Sequence, residues 1–100
     1  MKKSLYRKAC KLTEKLLNSM NINYDSEEME LKKGYVLRIE VERIMPEEQD
    51  IYYGDPGTVV DLAFYVTHNG TEVDGVSVSL TPFEKHYPAD LAYLIGMFSE

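Results

Sequence analysis

The chain of 100 residues contains no tryptophan, one cysteine, six glycines and four prolines. The single Cys10 excludes an internal disulfide, and without an export signal it favours a reducing compartment. The scarcity of glycine and proline, with 44% apolar and 28% charged residues, excludes collagen-like, low-complexity and disordered chains. The length fits one domain over residues 1–100, with one modest hydrophobic core.

Long apolar segments are also missing, because the apolar runs end after about five residues, as at 94–98. A membrane-spanning helix needs about 20 such residues. The basic start resembles the beginning of a signal peptide, but Arg7, Lys8 and Lys11 interrupt the apolar segment that would have to follow. We therefore expect a cytoplasmic protein that does not associate with membranes.

The charge of the chain is unevenly distributed. The net charge is −6, yet residues 1–20 carry a net +5 and residues 21–100 a net −11. An acidic domain repels nucleic acid and anionic lipid and attracts basic protein surfaces. The basic N-terminal residues are explained by the solvated face of a helix, where lysines are common. The distribution predicts a basic protein partner and no direct contact with nucleic acid.

Two segments have the apolar spacing of a helix. The first is 4–20, and the second is 88–98, which follows a short turn at 82–86 and begins at Pro88. The first apolar stripe consists of Leu5, Ala9, Leu12, Leu16 and Met20, with Cys10 beside it as a small core residue. The second stripe consists of Leu91, Leu94, Ile95 and Phe98.

Two further segments, 27–45 and 58–81, alternate apolar and polar residues with turn residues at their centres, which predicts two β-hairpins. In the first, a three-residue turn that ends at a left-handed Gly34 gives apolar pairs. The predicted pairs are Leu31 with Tyr35, Met29 with Leu37, and Glu28 with Arg38.

The second hairpin turns at Asn69–Gly70, a strong hairpin signal. This turn alone would pair Val66 with Val73, but further along the strands it would place apolar residues opposite polar ones. A bulge at Asp74–Gly75 restores the pattern. The predicted pairs beyond it are Phe64 with Val76, Leu62 with Val78, and Val60 with Leu80.

These elements predict an α+β fold in the order α-β-β-β-β-α. A four-stranded antiparallel sheet would carry the N-terminal and C-terminal helices on one face and expose the other. The exposed face is predicted to be acidic. Its predicted residues are Glu28, Glu30, Val36, Arg38, Glu40, Glu42, Asp61, Ala63, Tyr65, Ser77 and Ser79.

Motifs for catalysis or metal binding are missing. Cys10, His68 and His86 have no spacing that indicates a nucleophile and its base, and no cysteine pair or histidine motif indicates zinc. The acidic residues lack the spacing of a calcium-binding loop, and no glycine-rich phosphate loop is present. We therefore expect no enzymatic activity, no cofactor and no metal site.

A long connection over 46–57 joins the two hairpins and is rich in acids and tyrosines. Long ordered loops are often functional. We expect Tyr52 and Tyr53 to anchor a partner there, and the neighbouring acids to attract its positive charge. Those acids are Glu47, Glu48, Asp50 and Asp55, and the sheet face would add Glu28, Glu30, Glu40 and Glu42.

The size and charge predict a small protein that inhibits or neutralises a basic partner, including a nucleic-acid-binding protein whose ligand the carboxylates would imitate. The alternative is a homodimeric domain that self-associates through an edge strand or the exposed sheet face and holds a small-ligand pocket. Salt separates the two, because a charge-driven complex weakens as salt rises and an apolar dimer persists.

Overall fold

The computed structural model describes residues 3–18, 24–44, 59–80 and 87–100. Within these ranges the element order is helix, four strands, helix, which confirms the predicted order. The elements are α1 (Lys3–Leu17), β1 (Tyr24–Lys32), β2 (Tyr35–Ile44), β3 (Val59–His68), β4 (Thr71–Leu80) and α2 (Tyr87–Phe98). The described part of α1 ends at Leu17, and Met20 and the predicted turn at 82–86 lie outside the described residues.

The four strands form one antiparallel sheet in which the spatial order β1-β2-β3-β4 follows the chain. Each strand pairs with its neighbour in sequence, as hairpin turns require. The α+β class with a four-stranded antiparallel sheet is confirmed.

The hairpin β1–β2 confirms most of the predicted register, since Met29 faces Leu37 and Glu28 faces Arg38. The predicted pair of Leu31 with Tyr35 is wrong, because Lys32 lies opposite Tyr35 and the register shifts between Glu30 and Lys32. The extra residue at this shift is Leu31, whose side chain remains buried in the core. A bulge thus keeps Leu31 inside while a tight turn closes the hairpin.

Gly34 adopts a φ of 85°, which confirms its left-handed conformation. Asn69 and Gly70 form the turn between β3 and β4 with φ values of 51° and 87°. The two turns lie at the same end of the sheet, where the backbone N–H of Asn69 donates to the carbonyl of Gly34 at 3.0 Å. The ring of Tyr35 stacks on His68 there, with centroids 4.2 Å apart.

In the hairpin β3–β4 all three predicted apolar pairs beyond the bulge are confirmed. The bulge itself lies at Val73, because Val66 faces Asp74 and Thr67 faces Glu72. The predictions of a bulge at Asp74–Gly75 and of Val66 opposite Val73 are therefore wrong. The reason is that Gly75 lies opposite Tyr65, whose ring fills the space that a side chain at position 75 would occupy.

The core lies between the two helices and one face of the sheet. From the helices it contains Ala9, Thr13, Leu16, Leu91, Leu94 and Ile95, and from the strands Met29, Leu31, Leu37, Ile39, Val41, Leu62, Phe64 and Val66. Cys10 is a free, partly buried residue packed against this core. Thr13 fits among apolar neighbours because its hydroxyl donates to the carbonyl of Ala9 at 2.8 Å. Neither described helix has the length and hydropathy to span a membrane.

Candidate functional site

The sheet face that points away from the helices carries most of the charge of the strands, and we name it the open face. Its side chains are exposed or partly exposed in the described part of the chain. Its carboxylates are Glu28, Glu30, Glu40, Glu42, Asp61 and Glu72, and its cation is Arg38. All four sheet carboxylates predicted to contact a partner therefore lie on one face, as the alternation of the strands requires.

Arg38 lies at the centre of a hydrogen-bonded network on β1 and β2. Its Nη1 donates to Glu28 Oε1 at 2.7 Å and its Nε to Glu40 Oε1 at 2.8 Å. Its Nη2 donates to the hydroxyl of Tyr24 at 3.2 Å, and that hydroxyl donates to Glu40 Oε1 at 2.7 Å. Each partner thus holds the others in place across two strands.

The network shifts the protonation of both charged groups toward their ionised forms. The hydrogen bond from Arg38, helped by that from Tyr24, holds the pKa of Glu40 below its ordinary value. Hydrogen bonds to Glu40, Tyr24 and Glu28 raise the pKa of Arg38 further above its already high value. Glu28 and Glu40 are therefore ion-paired within the protein and are less available to a partner than their sequence positions indicate.

Tyr24 precedes the segment 27–45 that the sequence predicts as a hairpin, but it is the first residue of β1 and is about half exposed. Its side chain shares the open face with Arg38 and Glu40. The alternation of a strand could have placed it there, because residues an even number of positions apart, such as Tyr24 and Glu28, lie on the same face. The residues between them are all polar, so no alternation of apolar and polar residues indicates a strand there.

A shallow groove of about 330 Å³ crosses the open face from β1 to β4. Small residues form its floor, since Ala63 on β3 lies between Glu40 on β2 and Ser77 on β4. The larger side chains around them give the depression its walls. The lining residues are Tyr24, Glu40, Glu42, Asp61, Ala63, Tyr65, Ser77 and Val78.

Two carboxylates face each other in this groove, because Glu42 on β2 lies directly opposite Asp61 on β3. Directly opposed side chains of antiparallel strands have Cβ atoms about 4.5–5.5 Å apart, and like charges at that separation are destabilising. Within the described ranges Glu42 has no ion pair, in contrast to Glu28 and Glu40. The groove thus places two carboxylates opposite each other, while Arg38 is paired with Glu28 and Glu40.

Tyr65 forms the wall of the groove on the β4 side and lies above Gly75. Burial is the main cause that raises the pKa of its hydroxyl, and the nearby carboxylates Glu40 and Glu72 raise it further. The phenol therefore stays protonated at neutral pH and is available as a hydrogen-bond donor or acceptor.

The other part of the predicted partner surface falls on 46–57, which lies outside the described residues. This applies to Glu47, Glu48, Asp50, Tyr52, Tyr53 and Asp55, whose role stays a prediction. Across the described ranges no group of three or more histidine, cysteine, aspartate or glutamate residues has a metal-binding arrangement.

Comparison of the chain with protein families, with curated proteins and with solved structures found no match. A functional assignment therefore depends on the residues of the open face and on their chemistry.

Proposed function

We propose that this protein is a small, non-enzymatic binding module that inhibits or neutralises a basic protein, and that its open face contacts the partner. The observation that carries this proposal is the opposed pair of Glu42 and Asp61 in a groove walled by tyrosines. A folded protein gains no stability from two like charges held opposite each other. A positive group of another molecule that binds between Glu42 and Asp61 would be attracted by both carboxylates.

A lysine or arginine side chain of the partner has the chemistry that fits this groove. The carboxylates of Glu42 and Asp61 supply the negative charge, and charge-assisted hydrogen bonds to them are stronger than neutral ones. The rings of Tyr24 and Tyr65 supply aromatic surface close to those carboxylates. Cations bind to such ring faces with about 0.5–2 kcal/mol, depending on how far they are dehydrated.

The rest of the open face supports attraction at longer range. The chain has a net charge of −6, and the sheet holds its carboxylates on rigid, paired strands. Such a field increases association rates with a basic protein more than it increases affinity. A basic protein that binds nucleic acid would meet an array of fixed negative charges in place of its usual ligand, which supports inhibition by mimicry.

The proposal is tested with a fluorescent nona-arginine peptide, whose binding is followed by anisotropy at about 50 mM and about 500 mM salt. The groove variant Glu42→Gln/Asp61→Asn is compared with Glu30→Gln/Glu72→Gln, which removes the same charge from the same face outside the groove. We expect the groove variant to lose at least about tenfold in affinity at low salt and the matched variant less than about threefold.

Equal losses in the two variants would show that the peptide responds to net charge and not to the groove, and would overturn the proposed site. Binding to wild type that does not weaken at about 500 mM salt would overturn the electrostatic basis of the proposal. Circular dichroism spectra of all three proteins verify that the variants remain folded.

A further inference from the structure

The two outer strands of the sheet differ in charge. Acidic residues occur along β1 at positions 25, 27, 28 and 30, whereas β4 has no charged side chain from Gly75 to Leu80. An edge strand presents unpaired backbone N–H and C=O groups, and charged side chains protect such an edge from pairing with another strand. In the described part of the chain no strand lies beyond β4. Over the described residues, β4 is therefore the edge without protecting charges, from Gly75 to Leu80.

Exposed apolar side chains lie next to this edge. Val73 at the β4 bulge is 46% exposed, and Tyr93 on α2 is 52% exposed. The Tyr93 hydroxyl lies 3.5 Å from Asp74 Oδ2, which places this side of α2 beside β4. Met97, 56% exposed, follows one turn later on the same side of the helix. Apolar surface that adjoins an unpaired edge is typical of an interface.

We infer that β4 pairs in antiparallel fashion with β4 of a second copy of this chain, about a two-fold axis at Ser77. Such an interface uses the same residues on both subunits, which is the commonest way for two identical chains to associate. It would join the two sheets into one sheet of eight strands, with both open faces on the same side. Tyr93 would line the seam on the opposite side.

The sequence of β4 is complementary to itself in this register. Val76 would face Val78, which extends the apolar layer on the core side, and Ser77 would face its own counterpart. Gly75 would face Ser79, so that no two charged side chains lie opposite each other within this stretch. The same operation on β1 would bring acids opposite acids, because that strand carries a carboxylate at nearly every second position. The charge pattern therefore selects β4 and selects a second copy as its partner.

This interface is independent of the proposed function, because it depends on backbone groups and apolar residues at the edge. It would nevertheless affect binding, since Ser77 lines the acidic groove. The two β3 strands would lie three strand spacings apart, about 14 Å. A partner with two suitably spaced basic groups would then bind both grooves, and its avidity would exceed the affinity for one.

The oligomeric state is tested on the full chain by sedimentation equilibrium from about 1 to about 200 µM, at about 50 and about 500 mM salt. The test variant is Ser77→Lys, which places a lysine at the two-fold axis on an exposed position. The matched control is Ser26→Lys, which makes the same change on the open face of β1. We expect wild type and the control to dimerise and Ser77→Lys to weaken dimerisation at least tenfold.

We also expect the dimer to persist or tighten at about 500 mM salt, because salt screens the repulsion between two chains of net charge −6. A wild-type protein that stays monomeric over the whole range would overturn the inference, and so would a Ser77→Lys variant that dimerises as well as the control. A monomeric wild type would leave the proposed function intact, since peptide binding is measured at the groove and weakens with salt.

Discussion

Gly75 lies directly opposite Tyr65, and a Cβ atom at position 75 would approach the Cδ1 atom of the tyrosine ring to 2.7 Å and the carbonyl of Phe64 to 3.2 Å. The first distance requires the tyrosine ring to move, and the second is a tight contact. We therefore expect Gly75→Ala to destabilise the protein by about 1–2 kcal/mol, the usual cost of inserting a methyl group into filled space. Urea unfolding followed by circular dichroism measures this change.

The matched control is Gly96→Ala in α2, where an added Cβ meets nothing within 4 Å. Because alanine is the better helix former, this change should stabilise the protein by up to about 1 kcal/mol. Removal of the ring in Tyr65→Ser should abolish most of the penalty of Gly75→Ala, as expected for residues in contact. A Gly75→Ala protein as stable as wild type would contradict the described position of the ring.

Glu40 should make stability depend on pH on the acid side. Its folded-state pKa is lowered by the hydrogen bond from Arg38, so its contribution is present above the ordinary value of 4.5 and is lost as pH falls through the lowered value. Wild type should therefore exceed Glu40→Gln in stability at neutral pH, and the difference should shrink below about pH 4.5. The pair is partly exposed, so the difference should stay below about 1 kcal/mol.

Urea unfolding over a pH series measures this difference, and Arg38→Gln supplies its control. Without the guanidinium, Glu40→Gln in an Arg38→Gln background should cost less than in wild type. A difference between wild type and Glu40→Gln that widens as the pH falls would have the opposite sign and would refute the assigned cause.

A substitution of Gly70 measures the conformational cost of a left-handed backbone without any steric clash, because its φ is 87° and an added Cβ meets nothing within 4 Å. Gly70→Ala should therefore destabilise by about 1–2 kcal/mol through conformation alone. Gly70→Asn should cost distinctly less, since asparagine tolerates this conformation. Thermal unfolding of the two variants tests the order, and equal stabilities would argue against a conformational origin.

Glu42→Gln should have opposite effects on stability and on binding. Removal of one of two opposed carboxylates should stabilise the fold by a few tenths of a kcal/mol at low salt. The same change should weaken the binding of a basic peptide. Glu30→Gln, whose opposite neighbour is Val36, should leave stability unchanged. Urea unfolding at low and high salt measures the stability of the two variants. A destabilised Glu42→Gln protein would show that the pair is not repulsive.

The class, the order of elements and the exposed face of the sheet could be predicted from the sequence because their signals are local. Residues such as Leu37, Ile39 and Val41 mark the buried face by alternation, and Asn69–Gly70 marks a turn. The predicted position of Glu28 opposite Arg38 followed from the same alternation. Each of these features depends on residues close together in the chain.

The errors concern features that depend on distant side chains. The bulge lies at Val73 and not at Gly75 because Tyr65, ten residues away, occupies the space over the glycine. The network of Arg38 with Glu40 and Tyr24 needs three side chains from two strands at once. The opposition of Glu42 and Asp61 depends on the register between hairpins, which no short turn sets.

Because the strands lie in the sheet in the same order as in the chain, the molecule consists of two similar halves. The first half contributes α1, β1 and β2, the second contributes β3, β4 and α2, and the β2–β3 pairing joins them. In each half the helix packs on its own hairpin, and contacts between α1 and α2 and between β2 and β3 join the two halves around one core. A chain severed between positions 44 and 59 would consist of two fragments that reconstitute the sheet only when they meet. The two hairpins are thus suited to serve as complementary halves of a split protein, whose reassembly reports the proximity of whatever is fused to them.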